Sequence, residues 1–167
     1  MKRALFIGRF QPFHNAHLAN IKNILKETDR IVIAIGSSQE KNTLENPFSY
    51  NERKRMIINA LKKRKIKNYK IYPLPDLYND KKWVDHIAKN LPVFDAVFSG
   101  NEWTIRCFKK YKIKIKKIRL LKNINSTGIR KMMLKNKDWQ KLVPEEVADY
   151  IGKIKGVKRI KDIVVSK

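Results

Sequence analysis

A chain of 167 residues is long enough for one domain with a well-buried core and too short for two full ones. Its 39 Lys and Arg against 15 Asp and Glu give a formal charge of +24, which makes polyanions and phosphorylated metabolites natural partners. The single cysteine, Cys107, excludes an intramolecular disulfide and an all-cysteine metal cage, and no apolar run nears the ~20 residues of a membrane-spanning helix.

The elements follow one another as short apolar runs and helical stripes. Ala4-Leu5-Phe6-Ile7 reads as a buried strand ending at Gly8-Arg9, too short an apolar segment for a secretory signal, so a cytoplasmic protein with no membrane partner is expected. Leu18, Ile21, Ile24 and Leu25 share one helical face, and Ile31–Ile35 is a β-branched run ending at Gly36. Strand, helix and strand in this order make parallel neighbours. Ser49 and Glu52 have the spacing of a capping box, opening a helix that buries Met56, Ile57, Ala60 and Leu61. A third strand is expected at Tyr69–Tyr72, a helix on the stripe Val84, Ile87, Ala88 and Leu91, and a fourth strand at Ala96–Phe98. A short helix around Ile105–Tyr111 leads to a Lys-rich strand at Ile113–Ile118, whose alternation suits an edge.

From Asn123 onward the pattern is helical. Ser126 or Thr127 can cap a helix carrying Ile129, Met132, Met133 and Leu134; Pro144 suits the start of the next, and Val157–Val164 forms another. The expectation is a doubly wound, Rossmann-like α/β sheet with a helical C-terminal part. One domain is expected over 1–167, its sheet part about 1–122 and its helical part about 123–167.

In such a sheet ligands bind at the carboxyl ends of the strands. Gly8-Arg9-Phe10-Gln11-Pro12-Phe13-His14-Asn15-Ala16-His17 leaves the first strand there and runs into the first helix. His14 and His17 stand one helical turn apart, beside N–H groups that favour an anion, and Arg9 adds a fixed charge. Taken alone, His-x-x-His also fits a metal pair or two surface histidines. Asn125-Ser126-Thr127-Gly128-Ile129-Arg130 opens a second helix, where hydroxyls, N–H groups and Arg130 could receive phosphate; an ordinary capped helix with a solvated arginine is the other reading.

Together the two segments resemble the nucleotidyltransferase superfamily, marked by His-x-Gly-His near the N-terminus and Ser-Thr-x-x-Arg near the C-terminus. The string Gly8-Arg9-Phe10-Gln11-Pro12-Phe13-His14 is similar to the archaeal type of nicotinamide-nucleotide adenylyltransferase. The likeness runs in order through Ile35-Gly36-Ser37, Glu45-Asn46-Pro47-Phe48, Glu52-Arg53, Asp76, Trp83-Val84, Phe98-Ser99-Gly100-Asn101, Ser126-Thr127 and Gly156–Ile160. The chain departs from the family at Ala16, in place of the glycine between the histidines. It departs again at Asp80, where the family has Asn, and at Glu102-Trp103 after Ser-Gly-Asn.

The resemblance implies transfer of AMP from ATP to nicotinamide mononucleotide, with pyrophosphate leaving. It implies that Arg9, His14, His17 and Arg130 surround the triphosphate, aided by Gly8, Phe10, Ser126 and Thr127. Gly36, Ser37, Gly100 and Asn101 would shape the adenosine pocket. Asp76, Asp80 and Trp83 would serve the mononucleotide, with Trp83, read as lying beside the core stripe, stacking on the pyridine ring. Mg2+ would come with ATP rather than in a protein-built site, and a homo-oligomer is implied, the hexamer being the usual form. The rival acceptors are flavin mononucleotide and phosphopantetheine. A nucleic-acid-binding module is the rival from another class, motivated by the +24 charge, but no base-reading helix is evident and no specific nucleic acid is expected. A hydrolase using His14 and His17 on a metal lacks a third ligand placed by sequence.

Overall fold

A computed structural model describes residues 1–118 and 124–166. Among these, the chain forms two compact units: residues 1–8, 19–38 and 68–118 make the first, and residues 9–18, 39–67 and 124–166 the second. The expected division at 122/123 lies outside the described residues.

The first unit holds a five-stranded sheet of β1 (Arg3–Gly8), β2 (Arg30–Ile35), β3 (Tyr69–Pro73), β4 (Ala96–Ser99) and β5 (Ile115–Lys117). The order is β3-β2-β1-β4-β5 and every pairing is parallel. Leu5 of β1 is opposite Val32 on one side and Val97 on the other. Strand order therefore reverses at β1, which puts the switch point at Gly8 and Ser99-Gly100. β4 is wholly buried, β2 is buried beyond Arg30 and β1 over Ala4–Phe6, as their unbroken apolar runs require. β5 is an edge strand, half-exposed, as the Ile–Lys alternation predicts.

Against the sheet lie α3 (Asp80–Asn90) and α4 (Glu102–Lys109). Trp83, Val84 and Ile87 of α3 and Cys107 and Phe108 of α4 join Leu5, Val32, Ala34 and Val97 in one core. Each Leu, Val, Ile or Phe side chain so buried contributes about 1.5–3 kcal/mol relative to exposure. α1 (Asn15–Glu27) runs from the second unit into the first.

The second unit is helical: α2 (Tyr50–Lys63), α5 (Ser126–Leu134), α6 (Glu145–Lys153) and α7 (Gly156–Val165), with a 3-10 turn at Gln140–Leu142. The capping box on α2 forms, Ser49 Oγ accepting from the Glu52 N–H and Glu52 accepting from the Ser49 N–H. The cap of α5 is Asn125, whose Oδ1 accepts from the Gly128 N–H at 2.8 Å; Ser126 and Thr127, the expected caps, are its first two helical residues. The Asn125 amide oxygen, two bonds from Cβ, reaches the third N–H of the helix, and this leaves the Ser126 hydroxyl for other work. At Gly156 a Cβ would come within 2.8 Å of the buried Phe48 ring, so only glycine lets α7 start that close.

Candidate functional site

The loop after β1 belongs to the second unit and is held almost atom by atom. Arg53, the largest fully buried side chain, donates from Nη1 to the Arg9 carbonyl at 2.8 Å. Arg130 Nη1 donates to the Gln11 carbonyl at 2.9 Å, and Ser126 Oγ donates to the Pro12 carbonyl at 3.1 Å. The Gln11 amide bonds the Phe48 backbone twice, donating to its carbonyl at 2.8 Å and accepting from its N–H at 3.0 Å. Phe10 sits buried in the left-handed region with φ 53°, a conformation that costs a non-glycine residue about 1–2 kcal/mol and persists only where its surroundings over-determine it.

What this rigid loop presents is a pair of stacked imidazoles. The His14 and His17 rings lie 3.5 Å apart, only 16° from parallel. The His14 N–H donates to His17 Nδ1 at 3.2 Å, and the His17 N–H donates to His14 Nδ1 at 3.4 Å. Both Nδ1 atoms are thus acceptors, so each neutral ring carries its proton on Nε2 as a donor. Phe10 and Phe13 pack on His17, with centroids at 4.8 and 5.5 Å.

Burial lowers the His14 pKa to about 4. Burial, and then the neighbouring His14, hold His17 well below the usual histidine value. Neither ring is charged at neutral pH. Arg130 is buried too, and its pKa is lowered by that burial and by the Arg9 guanidinium, with Glu45 opposing. Two arginines that repel each other beside two neutral N–H donors form a place where an anion is welcome. The solvated-arginine reading of Arg130 therefore does not hold. Ser126 and Thr127 hydroxyls are partly committed, Ser126 to the loop and Thr127 accepting from Arg130 Nη2 at 3.4 Å.

The first unit holds the remaining predicted residues at strand ends. The Gly8 carbonyl accepts from the Gly36 N–H at 2.9 Å, tying β1 to β2 where both stop. Ser37 is buried with φ 47°. Gly100 follows β4, and Asn101 caps α4, its Oδ1 accepting from the Thr104 N–H at 3.0 Å. Asp76 is half-buried before α3. Asp80 opens α3, its Oδ1 accepting from Trp103 Nε1 at 3.2 Å and its Oδ2 lying 3.7 Å from Lys110.

Trp83 differs from expectation. It stands within the core stripe rather than beside it, 4% exposed, packed on Trp103 and Phe108 with centroids at 4.7 and 5.8 Å. Helical periodicity was broad enough to include it: Trp83 precedes Val84 and lies four residues before Ile87, on the buried arc. Cys107 is buried, and burial and Asp80 raise its pKa, so it is not a nucleophile in waiting.

Arg53 and Trp103 were not among the expected site residues. Arg53 lies three and four residues before Met56 and Ile57, so the apolar period already put an arginine on the buried face of α2.

The cytidylyltransferase-like family model matches residues 5–151. A nicotinamide-nucleotide adenylyltransferase of Archaeoglobus fulgidus is 42% identical over 96% of this chain and 97% of its own length. One of Methanolobus tindarius is 43% identical over 98% and 95%. The chain belongs to the nicotinamide-nucleotide adenylyltransferase family. A similar solved structure, a bifunctional NMN adenylyltransferase/ADP ribose pyrophosphatase from Francisella tularensis complexed with AMP and a manganese ion, superposes with a TM-score of 0.82 at 28% identity. It covers 98% of this chain, which spans 52% of that longer one. Among the described residues no helix is long and apolar enough to cross a membrane.

Proposed function

We infer that this chain transfers the AMP part of ATP to nicotinamide mononucleotide, forming NAD and pyrophosphate, a step of NAD biosynthesis. The observation that carries it is the stacked, neutral His14–His17 pair locked onto a loop that buried Arg53 and Arg130 hold rigid.

The chemistry is attack of the mononucleotide's 5′-phosphate oxygen on the α-phosphorus of ATP. Two anions must meet, so the protein's work is alignment and charge neutralisation. His17 donates its Nε2 proton in a hydrogen bond to the α-phosphate, stabilising the charge that grows there. His14 and Arg130 bind the β- and γ-phosphates, and Arg9, exposed on the loop, grips phosphate of either substrate. Neutral donors suit this task, since they hold oxygen without giving up a proton. Ser126 and Thr127 contribute the start of α5, whose N–H groups favour phosphate. Gly8, Phe10, Gly36, Ser37, Gly100 and Asn101 are assigned to ATP recognition, and Asp76, Asp80 and Trp83 to the acceptor.

Mg2+ enters with ATP as part of that substrate and neutralises its phosphates. The chain works as a single nucleotidyltransferase domain in a cytoplasmic homo-oligomer. Its high positive charge draws in phosphorylated substrates, less so at high salt.

The test is incubation with ATP, Mg2+ and nicotinamide mononucleotide, following NAD and pyrophosphate together. Matched release of both is expected. Product with flavin mononucleotide or phosphopantetheine but none with nicotinamide mononucleotide would move the acceptor assignment, and no pyrophosphate with any of them would overturn the reading.

A further inference from the structure

The terminal segment Gly156-Val157-Lys158-Arg159-Ile160 belongs to the family likeness, yet nothing in the chemistry above uses it. It opens α7, and two of its residues bear on one short stretch, residues 47–53. A Cβ on Gly156 would lie 2.8 Å from the buried Phe48 ring and 3.0 Å from the Ile151 side chain, so α7 starts hard against that ring. Arg159 donates to the Pro47 carbonyl and grips the Glu52 carboxylate with both terminal nitrogens. The same stretch also holds the histidine loop. Phe48 takes both amide bonds of the buried Gln11 side chain, the pair that a neighbouring strand would supply. Arg53 ties Ser49 to Arg9, its Nε donating to the Ser49 carbonyl at 3.3 Å and its Nη1 to the Arg9 carbonyl at 2.8 Å. All of these groups lie in the second unit.

We propose that α7 is a positioning element of the active site: Gly156 and Arg159 fix residues 47–53, and these, through Gln11 and Arg53, set where His14 and His17 stand against the phosphates. This rests on the role inferred above for the two histidines. Arg159 and Gln11 bond backbone groups of Pro47 and Phe48, so a displaced stretch cannot be accommodated by turning a side chain, and Gln11 moves with it. Gln11 uses both ends of its amide, which fixes its direction as well as its distance, and its own carbonyl receives Arg130. Phe10, in its left-handed conformation, lies between the two held residues Arg9 and Gln11, and that conformation persists only while both are held. His14 follows three residues after Gln11. A donor to a transferring phosphoryl group works only in close alignment, and a displacement of ~1 Å from a remote change can cost ~10²-fold. Neither Gly156 nor Arg159 has to touch substrate for this.

The experiment uses the full chain with Gly156→Ala, Arg159→Met, Arg159→Lys, Gln11→Leu, and Arg159→Met combined with Gln11→Leu. kcat and KM for nicotinamide mononucleotide are measured well below the melting temperature of each variant. Gly156→Ala, Arg159→Met and Gln11→Leu should each lower kcat ~10-fold and leave KM for the mononucleotide unchanged, as misaligned phosphate donors require. Arg159→Lys, which keeps one charged donor, should recover part of the loss. The double variant should lose much less than the product of the two single losses, because both changes act on one chain of contacts. NMR of the imidazole ring protons follows the loop directly. His14 titrates at about 4 in the intact protein, and a loop that has drifted admits water, so in Gly156→Ala and Arg159→Met the value should rise toward the ~6.5 of free histidine. A change that only weakens the fold would lower the melting temperature and leave kcat and that titration where they were. Should Arg159→Met fail to fold, Arg159→Lys and Gly156→Ala decide. Unchanged kcat in both α7 positions, with wild type forming NAD, would overturn the proposal alone. A double variant that loses the full product would do the same, by showing that α7 and Gln11 act independently. Wild-type protein that forms no NAD would overturn the functional reading. The positioning of the loop would then be judged on His14, and a titration still at about 4 in both α7 variants would overturn that as well.

Discussion

Arg159 and Glu52, 107 residues apart in the chain, form a two-point ion pair in which Nη1 and Nη2 each lie 2.8 Å from a separate carboxylate oxygen. Glu52 is also the far half of the capping box on α2, and Arg159 donates in addition to the Pro47 carbonyl at 3.2 Å. One carboxylate thus closes a helix start and fastens α7 to it.

Replacing Arg159 with Met should cost about 1–3 kcal/mol of stability, more than an isolated surface pair, because both groups are largely shielded and the geometry is forked. Burial works against the charged carboxylate, but the hydrogen bonds from Arg159 and Ser49 outweigh it and hold the Glu52 pKa below its usual value. A depressed carboxylate contributes stability above its unfolded value and loses it as pH falls through the folded one. The wild type should therefore lose stability faster than Arg159→Met below about pH 4.3, the ordinary glutamate value. Urea melts of both proteins from pH 3 to 7 check this; parallel curves would refute it.

His17→Ala should lower turnover by ~10²-fold or more with the fold retained, the usual consequence of removing one preorganised donor. Near-normal turnover would leave the pair a packing feature of the loop rather than phosphate donors. The pair also has a pH signature. The folded His14 value, about 4, lies below the ~6.5 of an unfolded histidine, so the unfolded chain binds more protons between those values. Stability should rise with pH from about 4 to 6.5 and level off above, and His17, shifted the same way, adds to the slope. Turnover should show no histidine titration between pH 6 and 8.

Arg53→Met should impair catalysis from a distance. The change leaves the Arg9 carbonyl without its donor and loosens the loop that carries the histidines. Turnover should drop ~10-fold or more, since small misplacements of aligned groups are costly. Lysine at the same position, able to reach the carbonyl with one donor, should recover part of it. Equal turnover in Arg53→Met would show that the loop keeps its shape without the guanidinium.

Trp83→Ala should unfold the protein at markedly lower temperature, because a buried tryptophan cut to alanine leaves a cavity worth about 3–5 kcal/mol. Affinity for both substrates should fall alongside. Trp83→Phe, which keeps an aromatic backing for Trp103, should retain most of the stability and affinity. A Trp83→Ala protein as stable as wild type would remove the residue from the core.

The sequence alone determined the order of elements, because the parallel strands are buried on both faces and leave unbroken apolar runs at Ala4–Ile7, Ile31–Ile35 and Ala96–Phe98. It determined the capping box as well, since Ser49 and Glu52 are three residues apart and their bonds are local. The phosphate-type segments were legible for the same reason: His14, just before α1, with His17 on its first turn, and Ser126 with Arg130 on α5, are three and four residues apart. What only tertiary structure decided are contacts between residues far apart in the chain. No local pattern could state that Arg130 holds Gln11, that Arg159 clasps Glu52, or that Trp103 lies on Trp83. Charge and burial then follow from those contacts. A helical arginine reads as solvated until the carbonyl it serves is known, and a tryptophan reads as a ligand platform until a second ring is found covering it.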